Sequence, residues 1–253
     1  MNIKNVEMFA LSIPFRLRIF LMGSAGLIVL SILVGITFAT GARLLLSVED
    51  YNLLISSNQF LVAINFMTYF ILTMTFFLWL SKTTLLKNKF LSFFNITKLK
   101  KALVYFLILY GMLILAGIIY ETLGIVLEDN TNQDTITQLT IAFPFLSIIT
   151  FVFLGPIAEE ITYRLGLFSF LLRYNRWIAF ILTALVFGFI HFDYGSSNYV
   201  NELLNMPLYI LAGVVFAYIY EREGFEVATL THIINNGFSI MIIWIISWTS
   251  SSL

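Results

Sequence analysis

The chain has 253 residues, of which 60% are hydrophobic, 17% aromatic and only 11% charged, and its formal net charge is zero. Soluble domains carry about 25% charged residues, so this composition excludes a disordered chain, a nucleic-acid-binding protein and an ordinary soluble enzyme. The chain has no cysteine, which excludes disulfides, thiolate metal sites and a cysteine nucleophile. We therefore expect an integral membrane protein.

Uncharged runs predict the membrane spans, because a spanning helix needs roughly 20 apolar residues. The runs cover residues 19–42, 51–81, 102–120, 135–158, 177–192, 203–220 and 227–253. Two of them are slightly short, and these are bounded by Asp193 and Glu202, which we expect at a water interface. The sequence thus predicts an all-α polytopic membrane helix bundle with seven transmembrane helices, or eight if 135–158 and 160–172 are separate elements.

The distribution of basic residues predicts the orientation of the chain in the membrane. Residues 82–101 include lysines and no acid, whereas residues 121–134 include acids and no base. The stretch before the first span is also mainly basic. We therefore expect the N-terminus, the 82–101 loop, Arg173 and Arg176 on the cytoplasmic side, and the 121–134 loop on the other side. The first apolar run has no small-residue cleavage site after it, so no cleavable signal peptide is expected.

The segment 82–101 allows two interpretations. Phe90, Leu91, Phe93 and Phe94 among its lysines are compatible with an amphipathic helix on an anionic membrane surface. The alternative, an ordinary cytoplasmic loop, is the one we favour. Internal repeats, low-complexity tracts and linkers are absent from the sequence, so we interpret residues 1–253 as one integral membrane domain.

A first polar cluster follows the run 135–158. Charged groups inside a span cost roughly 2.5–3.5 kcal/mol each on insertion scales, so each one is a functional hypothesis. In a helix, Glu160 and Arg164 share a face and can pair, whereas Glu159 points away from Arg164. A free carboxylate beside apolar walls has the character of a general base. The alternative is an acidic and basic cluster at a membrane edge.

A second polar cluster contains His191. Phe187 lies four residues before His191, so its ring can pack over the imidazole and fix its rotamer. Gly188 permits close approach by another helix. The alternative for His191 is an interfacial histidine without a catalytic role.

In the third cluster, His232 and Asn236 are four residues apart and share a helix face, and Asn235 is nearly on it. A histidine and an amide projecting together from a span need partners or a substrate. The alternative is hydrogen bonding between helices. If helices flank the turn at 173–176, Glu159 stands at the height of His191. His232 joins them only if its helix is tilted or its hairpin protrudes from the bilayer.

Taken together, the motifs Glu159-Glu160…Arg164, Phe187…His191 and His232…Asn236 resemble those of the CPBP family. These are CAAX-protease and bacteriocin-processing intramembrane endopeptidases, also called the Abi family, and are related to type II CAAX prenyl endopeptidases. The resemblance covers about residues 135–245. It implies a catalytic helical core over 135–248 and leaves 19–120 as peripheral helices without diagnostic motifs.

The resemblance also implies roles for individual residues. Glu159 looks like the catalytic glutamate, and His191 looks like its partner in activating water. His232 and Asn236 would stabilise the oxyanion of the tetrahedral intermediate. The residues implied as structural support are Glu160, Arg164 and Phe187. Asn235 precedes Asn236, and we choose Asn236 because the motif spacing selects it.

The resemblance leaves two mechanisms open. The family is often described as metalloproteases, and Glu159, His191 and His232 could complete a three-ligand zinc site with an open position. The chain has no His-Glu-x-x-His motif, and the same residues suit metal-free activation of water. We slightly favour the metal-free mechanism and keep zinc as the alternative.

The expected function is hydrolysis of a peptide bond near the membrane, in a peptide or in a lipidated, CAAX-type protein. The expected partners are this substrate and membrane lipids, without nucleic acid, and the composition favours the bacterial cytoplasmic membrane. One alternative is a bacteriocin self-immunity or regulatory protein of the same family that does not need proteolysis. A transporter with a polar midplane site is another, but the inverted repeats typical of such transporters are not evident.

Overall fold

The computed structural model describes residues 11–83 and 95–251. Within these ranges the backbone forms helices joined by turns, without a strand, which confirms the all-α fold class. In chain order the helices are α1 (Ile13–Leu45), α2 (Val48–Ile55), α3 (Asn58–Leu80), α4 (Ile96–Thr122), α5 (Thr131–Ala142), α6 (Pro144–Leu171), α7 (Arg176–Phe189), α8 (Tyr199–Glu223) and α9 (Phe225–Ser251). The amphipathic helix considered for Phe90, Leu91, Phe93 and Phe94 falls outside the described residues.

Among the described residues, six helices are long and apolar enough to cross a membrane, namely α1, α3, α4, α6, α8 and α9. Helix α7 is also apolar but shorter. These helices correspond to the seven uncharged runs of the sequence, so the predicted count of seven includes one short helix. The chain is a multi-pass integral membrane protein.

The boundaries around the first glutamates differ from the sequence prediction. The run 135–158 is not one helix, because α5 ends at Ala142 and Pro144 starts α6. Proline fits the first turn of a helix but lacks the N–H that a helix interior needs. Helix α6 then continues through Glu159 to Leu171, so 135–158 and 160–172 are not two separate spans. The uncharged run ends at residue 158, but the helix continues, because its charged residues are buried inside the protein and do not mark a membrane edge.

Helix α6 is irregular where it carries the glutamates. Two π-helical segments, Ile148–Leu154 and Glu160–Phe168, flank the α-helical turn Gly155–Glu159. Short π-helical segments inside α-helices are rare and occur frequently at functional sites. Every residue of the second π segment is buried, so this part of α6 forms the centre of the bundle.

Helix α1 packs tightly against the second π segment of α6. A Cβ atom added to Gly166 would lie 2.8 Å from the backbone nitrogen of Phe20, so only glycine allows this approach. Further along the same contact, the fully buried Arg16 donates from Nη1 to the carbonyl of Ser169 at 2.7 Å. Arg16, counted from sequence among the basic residues before the first span, is therefore part of the packing between α1 and α6.

Helices α7 and α8 form a close hairpin that positions the residues after α7. A Cβ atom on Gly188 would lie 2.5 Å from Cγ1 of Ile210, and one on Gly213 would lie 3.1 Å from Cα of Ala184. Small residues let helix backbones approach closely in membranes. The close helix contact predicted at Gly188 is confirmed.

Asparagine is the N-cap residue of four helices. The Oδ1 atoms of Asn95, Asn130, Asn175 and Asn198 accept hydrogen bonds from backbone N–H groups in the first turns of α4, α5, α7 and α8. Asparagine is among the best N-cap residues because it satisfies an N–H that has no partner within the helix. These caps fix where each helix starts.

Ion pairs gather several helix termini at one end of the bundle. Lys98 Nζ in α4 lies 2.9 Å from Glu226 Oε1 in α9, and Arg176 Nε in α7 lies 2.7 Å from Glu221 Oε1 in α8. We call this the basic end; it comprises the starts of α4, α7 and α9 and the ends of α6 and α8.

Hydrogen bonds gather the opposite termini. The side-chain amide of Asn201 donates to the Asp129 carbonyl at 2.8 Å, and the backbone N–H of Thr131 donates to Glu202 Oε1 at 2.9 Å. We call this the acidic end; it comprises residues 121–134, the end of α7 and the start of α8.

Candidate active site

A cavity of about 880 Å³ extends from the centre of the bundle to the acidic end. Its inner part is lined by Glu159, His191, His232, Asn235 and Asn236, which come from α6, the end of α7, and α9. The carboxylate of Glu159 and both imidazoles thus line one cavity. Their catalytic roles stay a prediction.

Glu159 lies at the end of the α-helical turn between the two π segments, and it is 8% exposed. The Tyr69 hydroxyl in α3 donates to Glu159 Oε1 at 3.2 Å. The other carboxylate oxygen, Oε2, lies 3.9 Å from His232 Nε2. Glu159 therefore has polar neighbours on both sides, within a largely apolar enclosure, and its carboxylate faces the cavity.

The neighbouring glutamate has a different environment. Glu160 Oε2 lies 3.3 Å from Arg164 Nε, and both side chains are fully buried. The predicted pairing of these two residues is confirmed. The guanidinium of Arg164 also lies over the rings of Phe187 and Phe216, at 4.7 and 5.4 Å from their centroids, a favourable cation–π arrangement.

Glu160 also holds His232, which sequence reasoning did not foresee. Its Oε1 atom lies 3.1 Å from His232 Nδ1. A carboxylate only accepts hydrogen bonds, so His232 donates from Nδ1 and turns Nε2 toward Glu159 and the cavity. The imidazole is stacked on Phe216, with ring centroids 4.4 Å apart. Glu160 and Phe216 thus fix the orientation of His232.

This geometry gives an expected result for Glu160→Gln. The substitution leaves the buried Arg164 without its counter-charge, and breaking a buried ion pair typically costs about 3–5 kcal/mol of stability. The glutamine oxygen can still accept from His232 Nδ1, so we expect only partial loss of activity. Thermal unfolding in detergent, beside an activity assay, measures both effects. An unchanged unfolding temperature would contradict this role.

His191 follows the last turn of α7 and is held by a hydrogen bond and two aromatic neighbours. Its Nδ1 atom donates to the Phe187 carbonyl at 2.7 Å, which leaves Nε2 as the free acceptor. Tyr209 stacks on the imidazole at 4.3 Å between centroids, and Phe187 packs against it at 4.7 Å. The predicted contact with Phe187 is confirmed.

A buried polar network behind His191 was not identified from the sequence. Asn130 donates to the His191 carbonyl at 3.1 Å and accepts from the Tyr209 hydroxyl at 3.2 Å. Glu202, expected at a water interface, is only 1% exposed. It is buried because backbone N–H groups of Thr131 and Asp193 donate to it. The sequence signal that could have predicted this network is the spacing of the polar residues Asn201, Glu202 and Asn205 at the start of α8.

The two asparagines of α9 are joined to each other and to α6. Asn236 Nδ2 donates to the Phe151 carbonyl at 2.9 Å, in the first π segment. Asn235 Nδ2 donates to Asn236 Oδ1 at 3.3 Å. An amide group has two N–H donors, so Asn236 keeps one for another partner. Both residues line the cavity, and the choice of Asn236 stays a prediction.

The side chains considered as zinc ligands are not grouped as a metal site in the part of the chain that the structure describes. Glu159, His191 and His232 share the cavity, but in the described part of the chain no three His, Cys, Asp or Glu side chains are grouped so that they could hold a metal ion. The Nδ1 atoms of both histidines are held by Glu160 and by the Phe187 carbonyl, which leaves the two Nε2 atoms as the nitrogens that could bind a metal. The metal-free mechanism and the zinc alternative both stay predictions.

The fold and the cavity define a class: a polytopic helical membrane protein whose bundle encloses a glutamate, two histidines and paired asparagines. Residues 141–238 match the family described as type II CAAX prenyl endopeptidase Rce1-like. This match confirms, at the level of the family, the resemblance drawn from the three motifs.

Two bacterial proteins are similar over about half of the chain. The protein of Bacillus subtilis (strain 168) named "Putative membrane peptidase YdiL" is 29% identical over 139 residues, which are 54% of this chain and 52% of that protein. "UPF0177 protein YvdC" of Lactococcus lactis subsp. lactis (strain IL1403) is 24% identical over 143 residues, 56% of this chain and 52% of that protein. The alignments thus span about half the length of these relatives. No solved structure matches the chain significantly.

Proposed function

We propose that this protein is an intramembrane endopeptidase in which Glu159 activates the attacking water. The observation that carries the proposal is the placement of the Glu159 carboxylate, which lies within 3.9 Å of His232 Nε2 in a cavity that His191 also lines. The family match at 141–238 and the name of the Bacillus relative support a membrane peptidase.

The proposed reaction uses the side chains of the cavity for proton transfer and charge stabilisation. A water molecule is held between Glu159 and the free Nε2 of His191. It gives a proton to Glu159 while the water oxygen attacks the carbon of the peptide carbonyl. We assign His232 and the free amide N–H of Asn236 as the donors to the oxyanion. When the C–N bond breaks, Glu159 returns the proton to the leaving amine. The products are a carboxylic acid and an amine, which exchange a proton to become a carboxylate and an ammonium group.

The proposed substrate is a peptide or lipid-modified protein with an apolar segment near the cleaved bond. Beyond the polar residues, the cavity is lined by aliphatic side chains of α5 and α9, including Ile136, Ile240 and Ile243. Such a wall accommodates an apolar side chain or a lipid group by removing it from water.

A direct cleavage assay tests this function. Purified full-length protein in detergent is incubated with a set of membrane peptides and lipidated peptides, and mass spectrometry identifies the cut sites. We expect one defined cut per accepted substrate, absent with Glu159→Gln. If the wild-type protein cuts none of them, the result would favour the immunity or regulatory alternative.

The same assay separates the metal-free mechanism from the zinc alternative. We expect activity to survive prolonged chelation in metal-free buffer, because the proposed steps use only protein side chains. Activity that disappears on chelation, returns with added zinc and is accompanied by stoichiometric zinc would reverse this assignment. In that case, bound zinc should also be lost from a His191→Ala variant, which metal analysis measures independently of turnover.

A further inference from the structure

A second concave site lies on the surface of the bundle, between α4, α7 and α8. It is a groove of about 890 Å³, and no described residue lines both this groove and the cavity that holds Glu159. Its α4 wall is one face of that helix, because the lining residues recur every three or four positions from Thr97 to Met112. We call it the lipid-facing groove.

The part of the groove toward the middle of these helices is apolar. It is lined by Val104, Ile108, Met112, Phe180 and Val214. The three α4 residues are exposed, so no other part of the described protein covers them. From Val104 to Met112 the helix rises about 12 Å, and half of the hydrocarbon core of a bilayer is about 15 Å. The apolar part therefore has the length of an acyl chain segment in one leaflet.

The mouth of the groove, at the basic end, is positively charged. Basic side chains from three helices line it, namely Lys100 and Lys101 of α4, Arg176 of α7 and Arg222 of α8. Glu223 is the one acidic residue among the described residues of the lining. Because α4 and α7 start where α8 ends, bases that are distant in the sequence meet at the same end of the groove.

Ion pairs hold these bases without cancelling their charge. Arg176 donates to both carboxylate oxygens of Glu221, at 2.7 and 2.8 Å, and Lys101 pairs with Glu223. Lys100 is exposed and makes no ion pair with any described residue. Four basic residues thus face two carboxylates, and the mouth keeps a net positive charge.

We infer that the lipid-facing groove is a binding site for an anionic phospholipid of the surrounding membrane. The phosphate lies at the basic mouth, and an acyl chain lies along the apolar part. Clusters of lysine and arginine between transmembrane helices attract anionic headgroups, whereas a zwitterionic lipid has no net charge to complement the mouth. Trp177 also lines the mouth and is 68% exposed, as is typical of aromatic side chains at headgroup level. The inference does not depend on the proposed peptidase function.

Native mass spectrometry of the full-length protein in detergent measures this binding directly. The protein is titrated with phosphatidylglycerol or with phosphatidylcholine of the same acyl chains. The groove variant, Lys100→Gln/Arg222→Gln, removes two charges from the mouth. Its matched control, Arg18→Gln/Lys82→Gln, also removes one lysine and one arginine, both exposed and outside the groove. Ile108→Trp fills the apolar part and keeps every charge.

We expect the wild-type protein to bind one phosphatidylglycerol more tightly than any phosphatidylcholine. A single base near an anionic lipid contributes roughly fivefold to binding, so the groove variant should bind phosphatidylglycerol about 25-fold more weakly. The matched control should bind it like the wild-type protein, whereas Ile108→Trp should lose the tight site. Thermal unfolding without lipid verifies that each variant is folded. Added phosphatidylglycerol should raise the unfolding temperature of the wild-type protein and of the control only.

Three results would overturn the inference. Equal weakening in both double variants would show a general effect of charge, and equal affinity for the two lipids would show an ordinary lipid-facing surface. A dimer without bound lipid would show that a second copy of the chain covers the groove. None of these measurements needs proteolysis, so a negative cleavage assay would refute the proposed function and leave the lipid site unaffected.

Discussion

Glu159→Gln is expected to abolish peptide hydrolysis while leaving the protein folded. The amide cannot take the proton of the attacking water, and a general base typically contributes about 100- to 10,000-fold to the rate. The exchange is nearly isosteric, and the glutamine oxygen can still accept from the Tyr69 hydroxyl, which lies 3.2 Å from the carboxylate. Cleavage followed by mass spectrometry and thermal unfolding in detergent measure the two properties.

Glu160→Gln is the matched control for this experiment. It makes the same chemical change at the adjacent residue, which pairs with Arg164. We expect the two variants to separate: Glu159→Gln loses activity and keeps stability, whereas Glu160→Gln loses stability and keeps part of its activity. Equal activity and equal stability of the two proteins would show that this division of roles is wrong.

The sequence was sufficient for features that depend on local spacing and composition. Apolar runs predicted the spans because the length of a spanning helix is set by the thickness of the bilayer. The pair Glu160–Arg164 and the contact of Phe187 with His191 were predictable because residues four apart share a helix face. Local geometry of this kind does not depend on how the helices are arranged.

Other features depend on packing between distant segments and could not be obtained from spacing. The offset of His232 along its helix left open whether it reaches Glu159, and the structure shows that it contacts Glu160 as well. Tyr69 reaches Glu159 from α3, in a segment without a diagnostic motif. Nothing in the sequence separates this tyrosine from the others. Glu202 is buried because groups from other segments donate to it, among them the backbone N–H groups of Thr131 and Asp193 and the side chain of Asn130.

Helix α6 likewise combines a feature that the sequence could predict with one that it could not. The start of this helix could be recognised in the sequence from Pro144. The π-helical segments could not be recognised. The second π segment packs against α1, and the first packs against α3 and α9. One consequence is that the Phe151 carbonyl, in the first π segment, accepts from the Asn236 side chain. The position of this amide therefore depends on the backbone of α6.

Asn236→Ala is expected to slow turnover strongly with little change in substrate binding. Removing one oxyanion donor costs about 2.7–4 kcal/mol, or roughly 100- to 1,000-fold in kcat. The free N–H of Asn236 acts only when charge develops on the carbonyl oxygen, so KM should change little. Steady-state kinetics on a peptide identified by the cleavage assay measure both parameters.

Asn235→Ala is the control that makes the Asn236 result interpretable. Asn235 lines the same cavity but donates to Asn236 Oδ1 at 3.3 Å, so its loss should reduce kcat only mildly, by loosening the neighbouring amide. Asn236→Ala also leaves the Phe151 carbonyl without its donor, and thermal unfolding measures that separate cost. If Asn235→Ala reduces kcat more than Asn236→Ala at comparable stability, the oxyanion donor is Asn235, and the motif spacing selected the wrong amide.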